Sequence, residues 1–374
     1  MSANENSTER QIGRSRHVAC FALAMRTASA SATLLFVAAC TSAVAPETSD
    51  RAAECSAAWC ADALSEFPEE LVFGPHTMGP AEESEDLCVS WTVDTAGPTF
   101  LNTITSDNGP GIHHSNWYWV PPNLYTGGDG VWSCRERGFD NLAAALAGGI
   151  IFGTSTQAPT DEQRLAPGVA VRIPARARIV GNIHVLNASA SAIDSHVRLR
   201  VSPIPADEVT DEVQPLGFVY EDLALDPRAR SRFVADCDVS SLSAGADDAR
   251  PVQIYTGGAH YHALGTGARA EVVGGPRDGE ILFETTSPIG HPLTRTYETP
   301  LDLMGVDTIR FSCDFDNPRD EAVEWGIGDQ EMCAIGFSTN SVSALGAAVI
   351  ETVETREVDG VLVHTGECIP IAVR

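Results

Sequence analysis

Short runs in which apolar and polar residues alternate recur along the chain, and such runs predict β-strands. Residues 87–93 alternate in this way, and residues 112–120 combine aromatic and β-branched side chains before Pro121 and Pro122 end the run. Helical patterns are scarce, although residues 141–146 form a short helix candidate. The pattern therefore predicts an all-β, turn-rich chain.

The strand pattern breaks near residues 203–213, where Pro203 and Pro205 precede an acidic stretch. A chain of 374 residues is long for one ordinary domain and suits two. We therefore expect two tandem antiparallel β-sandwich domains of jelly-roll type, at residues 65–205 and 206–374.

The N-terminal residues have the pattern of an export signal. Arg26 precedes an apolar run of small residues that ends at Cys40 and is too short for a permanent membrane helix. Residues 37–40 (Val-Ala-Ala-Cys) resemble the bacterial lipobox, which implies lipidation at Cys40, a signal peptide at 1–39 and a tether at 40–64. Ordinary cleavage near Ala39 or Ala45 is the alternative, and translation could start at Met1 or Met25. The expected location is outside the bacterial cytoplasm, anchored in a membrane only through this lipid.

Charge and cysteine content narrow the class further. All 24 basic residues are arginine, which excludes lysine-dependent catalysis, and a net charge of −27 argues against nucleic acid as a partner. Acidic runs such as residues 82–86 and 207–212 are interpreted as solvated surface. Of ten cysteines, Cys20 and Cys40 fall in the leader, which leaves eight for disulfides in an oxidising compartment. Cys55 and Cys60 would most simply pair with each other.

A His-x-His pair is the strongest candidate site. His260 and His262 follow an apolar run, and residues i and i+2 of a strand share a face, so both rings can reach one ion. Met332 lies between an acidic turn and a further apolar run, and a thioether beside imidazoles suits copper that cycles through Cu(I). Taken alone, a His-x-His pair is a weak signal, and two half-buried strand histidines are its more common explanation.

Three further histidines are weaker candidates by spacing. His113 and His114 are neighbours, so on a regular strand they point to opposite faces and share a metal only at a strand end or bulge. His184 lies in an apolar strand, where a lone histidine is usually a core residue.

Taken in chain order, these residues resemble the copper type II, ascorbate-dependent monooxygenases, the group of peptidylglycine α-hydroxylating monooxygenase and dopamine β-monooxygenase. The resemblance covers roughly residues 86–368. It implies one copper on a histidine pair and a later histidine, and a second on His-x-His and the Met of Glu-Met-Cys. The corresponding positions are His113, His114 and His184 for the first copper, and His260, His262 and Met332 for the second.

The family's chemistry is then the expected function: hydroxylation of a substrate C–H bond with O₂ as oxidant and ascorbate as reductant. The first copper would take electrons from ascorbate, and the second would bind O₂ and abstract hydrogen, with a water-filled cleft between them. The resemblance also implies disulfides between Cys88 and Cys134, between Cys237 and Cys368, and between Cys313 and Cys333.

The substrate side departs from the peptide-hydroxylating branch. An arginine that grips a substrate carboxylate is replaced by Gly258, and supporting Asn and Tyr positions are Ala334 and Gly336. The small-molecule substrate therefore stays open. Two alternatives remain: a non-catalytic copper-binding surface lipoprotein, and a cupin-like His-x-His dioxygenase with one iron.

Overall fold

The structure, a computed structural model, describes residues 67–243, 251–326, 328–342 and 345–372. Strands account for most of these residues, so the all-β prediction is confirmed. The predicted signal peptide and tether, the lipidation site Cys40 and the pair Cys55 and Cys60 lie outside the described residues. Within the described residues, no helix is both long enough and apolar enough to cross a bilayer.

The first half of the described chain contains strands β1–β11, helix α1 and a 3-10 turn at Ala206–Glu208. Their bounds are β1 (Glu70–Met78), β2 (Glu83–Thr92), β3 (Thr99–Asn108), β4 (Ile112–Val120), β5 (Gly130–Trp132), α1 (Asn141–Ala147), β6 (Gly149–Gly153), β7 (Thr160–Arg164), β8 (Val169–Ile173), β9 (Arg178–Leu186), β10 (Ile193–Ile204) and β11 (Asp211–Glu212). Sheet 1 has the order β1-β10-β3-β8-β11, with β7 also paired to β3, and sheet 2 has the order β5-β2-β9-β4-β6.

The first hydrophobic core draws side chains from both of these sheets. Phe73 and Leu199 come from sheet 1, whereas Trp117 and Ile183 come from sheet 2, and all four are fully buried. Strand β10 alternates buried and exposed residues, as expected for a strand with one solvated face. Strand β9 is buried along almost its whole length, because it lies in the middle of sheet 2.

The second half contains strands β12–β25, helix α2 and a 3-10 turn at Gly275–Arg277. Their bounds are β12 (Gln214–Tyr220), β13 (Ala224–Leu225), β14 (Ala229–Asp238), α2 (Ser240–Ser243), β15 (Gln253–His260), β16 (Gly265–Val273), β17 (Ile281–Thr285), β18 (Thr294–Asp302), β19 (Thr308–Asn317), β20 (Val323–Glu324), β21 (Ala334–Thr339), β22 (Leu345–Val349), β23 (Thr352–Val358), β24 (Val361–Glu367) and β25 (Ile369–Ala372). Sheet 3 has the order β18-β15-β21-β12-β22-β25, sheet 4 has the order β17-β16-β19-β14-β24-β23, and β13 pairs with β20.

The second core again lies between two sheets. Phe218 and Ile335 of sheet 3 pack in one cluster with Phe233 and Phe311 of sheet 4. The chain passes from the first pair of sheets to the second between Glu212, which pairs with β8, and Gln214, which opens β12. The division into two domains at residue 205 stays a prediction, because the described residues belong to one compact unit.

Three disulfides join the described cysteines in the pairs that the resemblance implies. Cys88 bonds to Cys134, Cys237 to Cys368, and Cys313 to Cys333. The first ties β2, beside β9 in sheet 2, to the loop after β5. The third ties the residue that follows Met332 to the central strand of sheet 4, so it anchors the segment that carries this methionine.

Candidate metal centre

A β-bulge brings the adjacent His113 and His114 of β4 to the same place. The register of β4 against β9 shifts between Ile112 and His114, and His114 then pairs directly with His184. The extra residue is His113, whose carbonyl accepts a hydrogen bond from the N–H of Gln157 (2.6 Å) outside the ladder. The irregularity that these neighbours need in order to share a metal is therefore present.

His113, His114 and His184 form a compact, buried group. Each offers a ring nitrogen, and these nitrogens lie within 4.8 Å of one another. The ring centroids of His113 and His114 are 4.5 and 5.1 Å from that of His184. Among the histidine, cysteine, aspartate and glutamate side chains of the described residues, these three lie close enough together to hold a metal ion.

A hydrogen-bond chain orients two of these rings. His184 Nε2 lies 2.9 Å from Oε1 of Glu83, and because a carboxylate accepts, the imidazole donates from Nε2. Nδ1 of His184 lies 3.3 Å from Nε2 of His114. The Nδ1 atoms of His113 and His114 are buried without a hydrogen-bond partner among the described residues.

The second pair, His260 and His262, straddles the end of β15. His260 is the last residue of the strand and His262 lies in the turn beyond it, with their ring centroids 5.2 Å apart. Nδ1 of His262 donates to the carbonyl of Gln330 (2.8 Å), and Nδ1 of His260 lies 3.2 Å from the hydroxyl of Thr156. Both Nε2 atoms are buried and have no partner in the described part of the chain.

Glu331 connects this pair to the segment of Met332. Its buried carboxylate accepts from the backbone N–H groups of His262 (2.8 Å), Leu264 (2.6 Å) and Met332 (3.3 Å). Burial raises the pKa of this carboxyl to about 7, against the lowering effect of the three N–H donors. Glu331 thus supports the loop, and the thioether of Met332 as a copper ligand stays a prediction.

The two histidine sets lie against each other. The ring of His113 is 4.9 Å from that of His262, and the ring of His114 is 4.8 Å from that of His260. This differs from the expected arrangement, in which a water-filled cleft separates two sites. The physical reason is that residues 154–161 of the first half hydrogen-bond directly to the second half beside these rings.

Burial keeps four of the imidazoles neutral, those of His113, His114, His260 and His262. Desolvation, followed by the neighbouring imidazoles, lowers the pKa of His113 to about 2 and that of His260 to about 3. The pKa of His114 is lowered well below its ordinary value and that of His262 is lowered as well, each chiefly by burial. Neutral rings keep lone pairs for a metal, so these residues fit a metal ion at neutral pH.

Three supporting residues are not indicated by the sequence pattern. Glu83 lies in an acidic run that the pattern assigns to solvated surface, yet its carboxylate holds His184. Gln330 acts through its carbonyl, which no side-chain pattern reveals. Thr156 lies in a turn of the other half. Only the position of Gln330, two residues before Met332, offers a signal.

Two of the positions expected to bind a substrate carboxylate, Gly258 and Gly336, carry no side chain. Gly258 pairs with Gly336, Gly336 with Gly217, and Gly217 with Gly346, so four glycines lie in register across sheet 3. A methyl group added at Gly336 or Gly217 would meet no atom within 4 Å, whereas one at Gly258 would lie 3.2 Å from the side chain of Thr294. No side chain at Gly258 or Gly336 can hold a substrate.

Comparison with known proteins adds little. No family model and no curated protein matches the chain. Among solved structures, the major capsid protein P2 of bacteriophage PM2 is 10% identical over 72% of this chain and 97% of its own, with a TM-score of 0.27. The tail fiber protein gp63.1 from a phage of E. coli is 8% identical over 76% of this chain and 37% of its own, with a TM-score of 0.17. Similarity at these scores supports no conclusion about this chain.

Proposed function

We propose that this protein is a copper-dependent monooxygenase that hydroxylates a C–H bond of a small substrate, with O₂ as oxidant and ascorbate as reductant. One observation carries the proposal: among the described residues, two adjoining histidine sets contain four buried ring nitrogens without hydrogen-bond partners, namely Nδ1 of His113 and His114 and Nε2 of His260 and His262. An unpaired buried polar atom costs about 1–3 kcal/mol, and a bound metal would remove that cost.

The donors divide into two kinds. The set of His113, His114 and His184 offers imidazole nitrogen only. The set of His260 and His262 gains the thioether of Met332 under the proposal, which favours Cu(I). Copper held there would supply electron transfer and oxygen activation. One oxygen atom enters the product and the other leaves as water, with two electrons from ascorbate and two protons.

The chain's own residues prepare both sets for metal. Glu83 and the carbonyl of Gln330 each accept a hydrogen bond from one ring nitrogen, of His184 and of His262 respectively. These bonds fix the orientation of each ring, and the other ring nitrogen would be the one to bind a metal. Glu331 ties the turn of His262 to the backbone of Met332. Burial of the rings excludes bulk water and strengthens electrostatic interactions inside the centre.

The bare glycine row across sheet 3 favours a substrate without a carboxylate. Charge-assisted hydrogen bonds from an arginine would be required to bind a carboxylate firmly, and Gly258 provides none. The same observation favours a second candidate function, a surface lipoprotein anchored at Cys40 that binds copper without turnover.

The test combines metal content with turnover. The exported, disulfide-intact protein should bind two coppers per chain and consume O₂ with ascorbate, beyond free copper, when amines, phenols or neutral peptides are supplied. Met332→Ala should lose one copper and all turnover. Met304→Ala, at an exposed methionine, and His291→Ala, at an exposed histidine, are the matched controls and should keep both.

Three results would redirect the assignment. Two coppers without oxygen uptake above the free-copper background would favour the binding protein. A single iron would favour the dioxygenase alternative. Equal loss of copper in Met332→Ala and Met304→Ala would show that the thioether of Met332 is not a copper ligand.

A further inference from the structure

Residues 154–161, here called the docking segment, fasten the first half of the chain to the second. The hydroxyl of Ser155 accepts from the N–H of Leu293 (2.7 Å), and Oδ1 of Asp161 accepts from the hydroxyl of Thr294 (2.9 Å). The carbonyl of Thr156 accepts from the N–H of Gly290 (2.9 Å). All three contacts reach the segment of the second half that leads into β18.

The docking segment is itself held rigidly. Asp161 is buried, and Oδ2 accepts from both the N–H (2.8 Å) and the hydroxyl (2.6 Å) of Ser155. Gln157, two residues after Ser155, donates its N–H to the carbonyl of His113. The segment therefore connects the bulged histidine of the first set to the second half through a short, hydrogen-bonded path.

Thr156 occupies the centre of this path, and its hydroxyl has only one hydrogen. That hydroxyl lies 3.0 Å from the carbonyl oxygen of Tyr261, which can only accept, so Thr156 donates there. Toward Nδ1 of His260, 3.2 Å away, the same oxygen must then accept. His260 therefore carries its proton on Nδ1, and Nε2 keeps a lone pair.

We propose that Thr156 is a positioning residue for the second histidine set: a hydroxyl supplied by the first half holds His260 in the tautomer that can bind metal through Nε2. The inference rests on the proposed function, in which His260 is a copper ligand. It adds that the second metal site is complete only while the docking segment is seated, because an essential hydrogen-bond acceptor comes from the other half.

The first experiment reads the tautomer without metal. The metal-free protein, labelled with ¹⁵N-histidine, should show His260 protonated at Nδ1, with the resonance assigned by its absence in His260→Asn. Thr156→Val keeps the shape but removes the hydroxyl, and should move only this histidine toward a mixture of tautomers. Thr156→Ser should restore the wild-type signal. Protonation of His260 at Nε2 in the wild-type protein would overturn the inference.

The second experiment reads copper binding. In a titration with copper, Thr156→Val should weaken one of the two sites by about 10–100-fold and change its EPR spectrum, and Thr156→Ser should recover it. Thr126→Val, the same substitution at an exposed threonine outside the docking segment, is the matched control, and both sites should stay close to wild type in affinity. Unchanged affinity in Thr156→Val would refute the positioning role. Absence of turnover in the wild type with normal tautomer results would refute only the proposed function.

Discussion

Acidification should destabilise the metal-free protein, because the buried histidines cannot take up protons in the folded state. The pKa values of His113 and His260 are lowered to about 2 and about 3, and that of His114 is lowered well below its ordinary value. In the unfolded chain each ring titrates near about 6.5. Between about pH 7.5 and about pH 5.5 the unfolded chain therefore binds protons that the folded chain does not. The free energy of unfolding accordingly falls as the pH is lowered.

The magnitude follows from linkage. His113 and His260 together remove about 3 kcal/mol across that interval. His114 and His262, whose pKa values are also lowered by burial, add to this loss. Glu331 opposes them: its pKa is raised to about 7, so its contribution is fully present below the unfolded value, near about 4.5, and is lost as the pH rises through about 7. Lowering the pH therefore recovers about 2 kcal/mol from Glu331. The histidines outweigh Glu331, and the net loss of stability is at least about 1 kcal/mol.

The assay is denaturant unfolding of the chelator-treated, disulfide-intact protein at both pH values. A double variant, His113→Asn with His260→Asn, removes the two histidines whose contribution is worked out above, so it should lose about 3 kcal/mol less than the wild type between the two pH values. His291→Ala, at an exposed histidine, should retain the wild-type loss. A wild-type protein that is as stable at the lower pH, or a double variant that loses as much as wild type, would refute the reasoning.

Three further outcomes are expected. Glu83→Ala should weaken copper binding at the site of His184 by about 10–100-fold in a titration, and Glu83→Gln should recover part of it because an amide oxygen still accepts. Removal of the Cys313–Cys333 bridge, which spans 20 residues, should lower the free energy of unfolding by about 3 kcal/mol in denaturant melts, and an unchanged value would contradict a restraint on the unfolded chain. Trp117→Ala, at a fully buried side chain in sheet 2, should cost about 3–5 kcal/mol by the same assay, and a smaller cost would mean that the core collapses around the cavity.

The sequence predicts the strands well because alternation reports on the solvated and buried faces of each sheet. It also indicates the five histidines as candidate metal ligands, because residue type and order along the chain can be read without knowing the strand register. The sequence does not predict the bulge at His113; it shows only that His113 and His114 would need one in order to share a metal. The pairing of His114 with His184 depends on strand register, which local sequence does not determine.

Other parts of the site depend on contacts between distant segments. Glu83 approaches His184 across two strands, and Thr156 approaches His260 from the other half of the chain. No periodicity or spacing carries such information, because the first contact follows from which strands are neighbours in sheet 2 and the second from how the two halves are placed. The expected cleft likewise depends on how the two halves are placed, which the sequence does not determine. The rings of His113 and His262 lie against each other instead.

X-ray absorption at the copper edge of the ascorbate-reduced protein is the most direct test of the central claim, that one copper has imidazole ligands only and the other has a thioether as well. The wild-type spectrum should contain a sulfur neighbour from Met332, and the spectrum of Met332→Ala should contain nitrogen neighbours alone, with about half of the copper remaining. A wild-type spectrum without sulfur, or a sulfur neighbour that persists in Met332→Ala, would contradict the account.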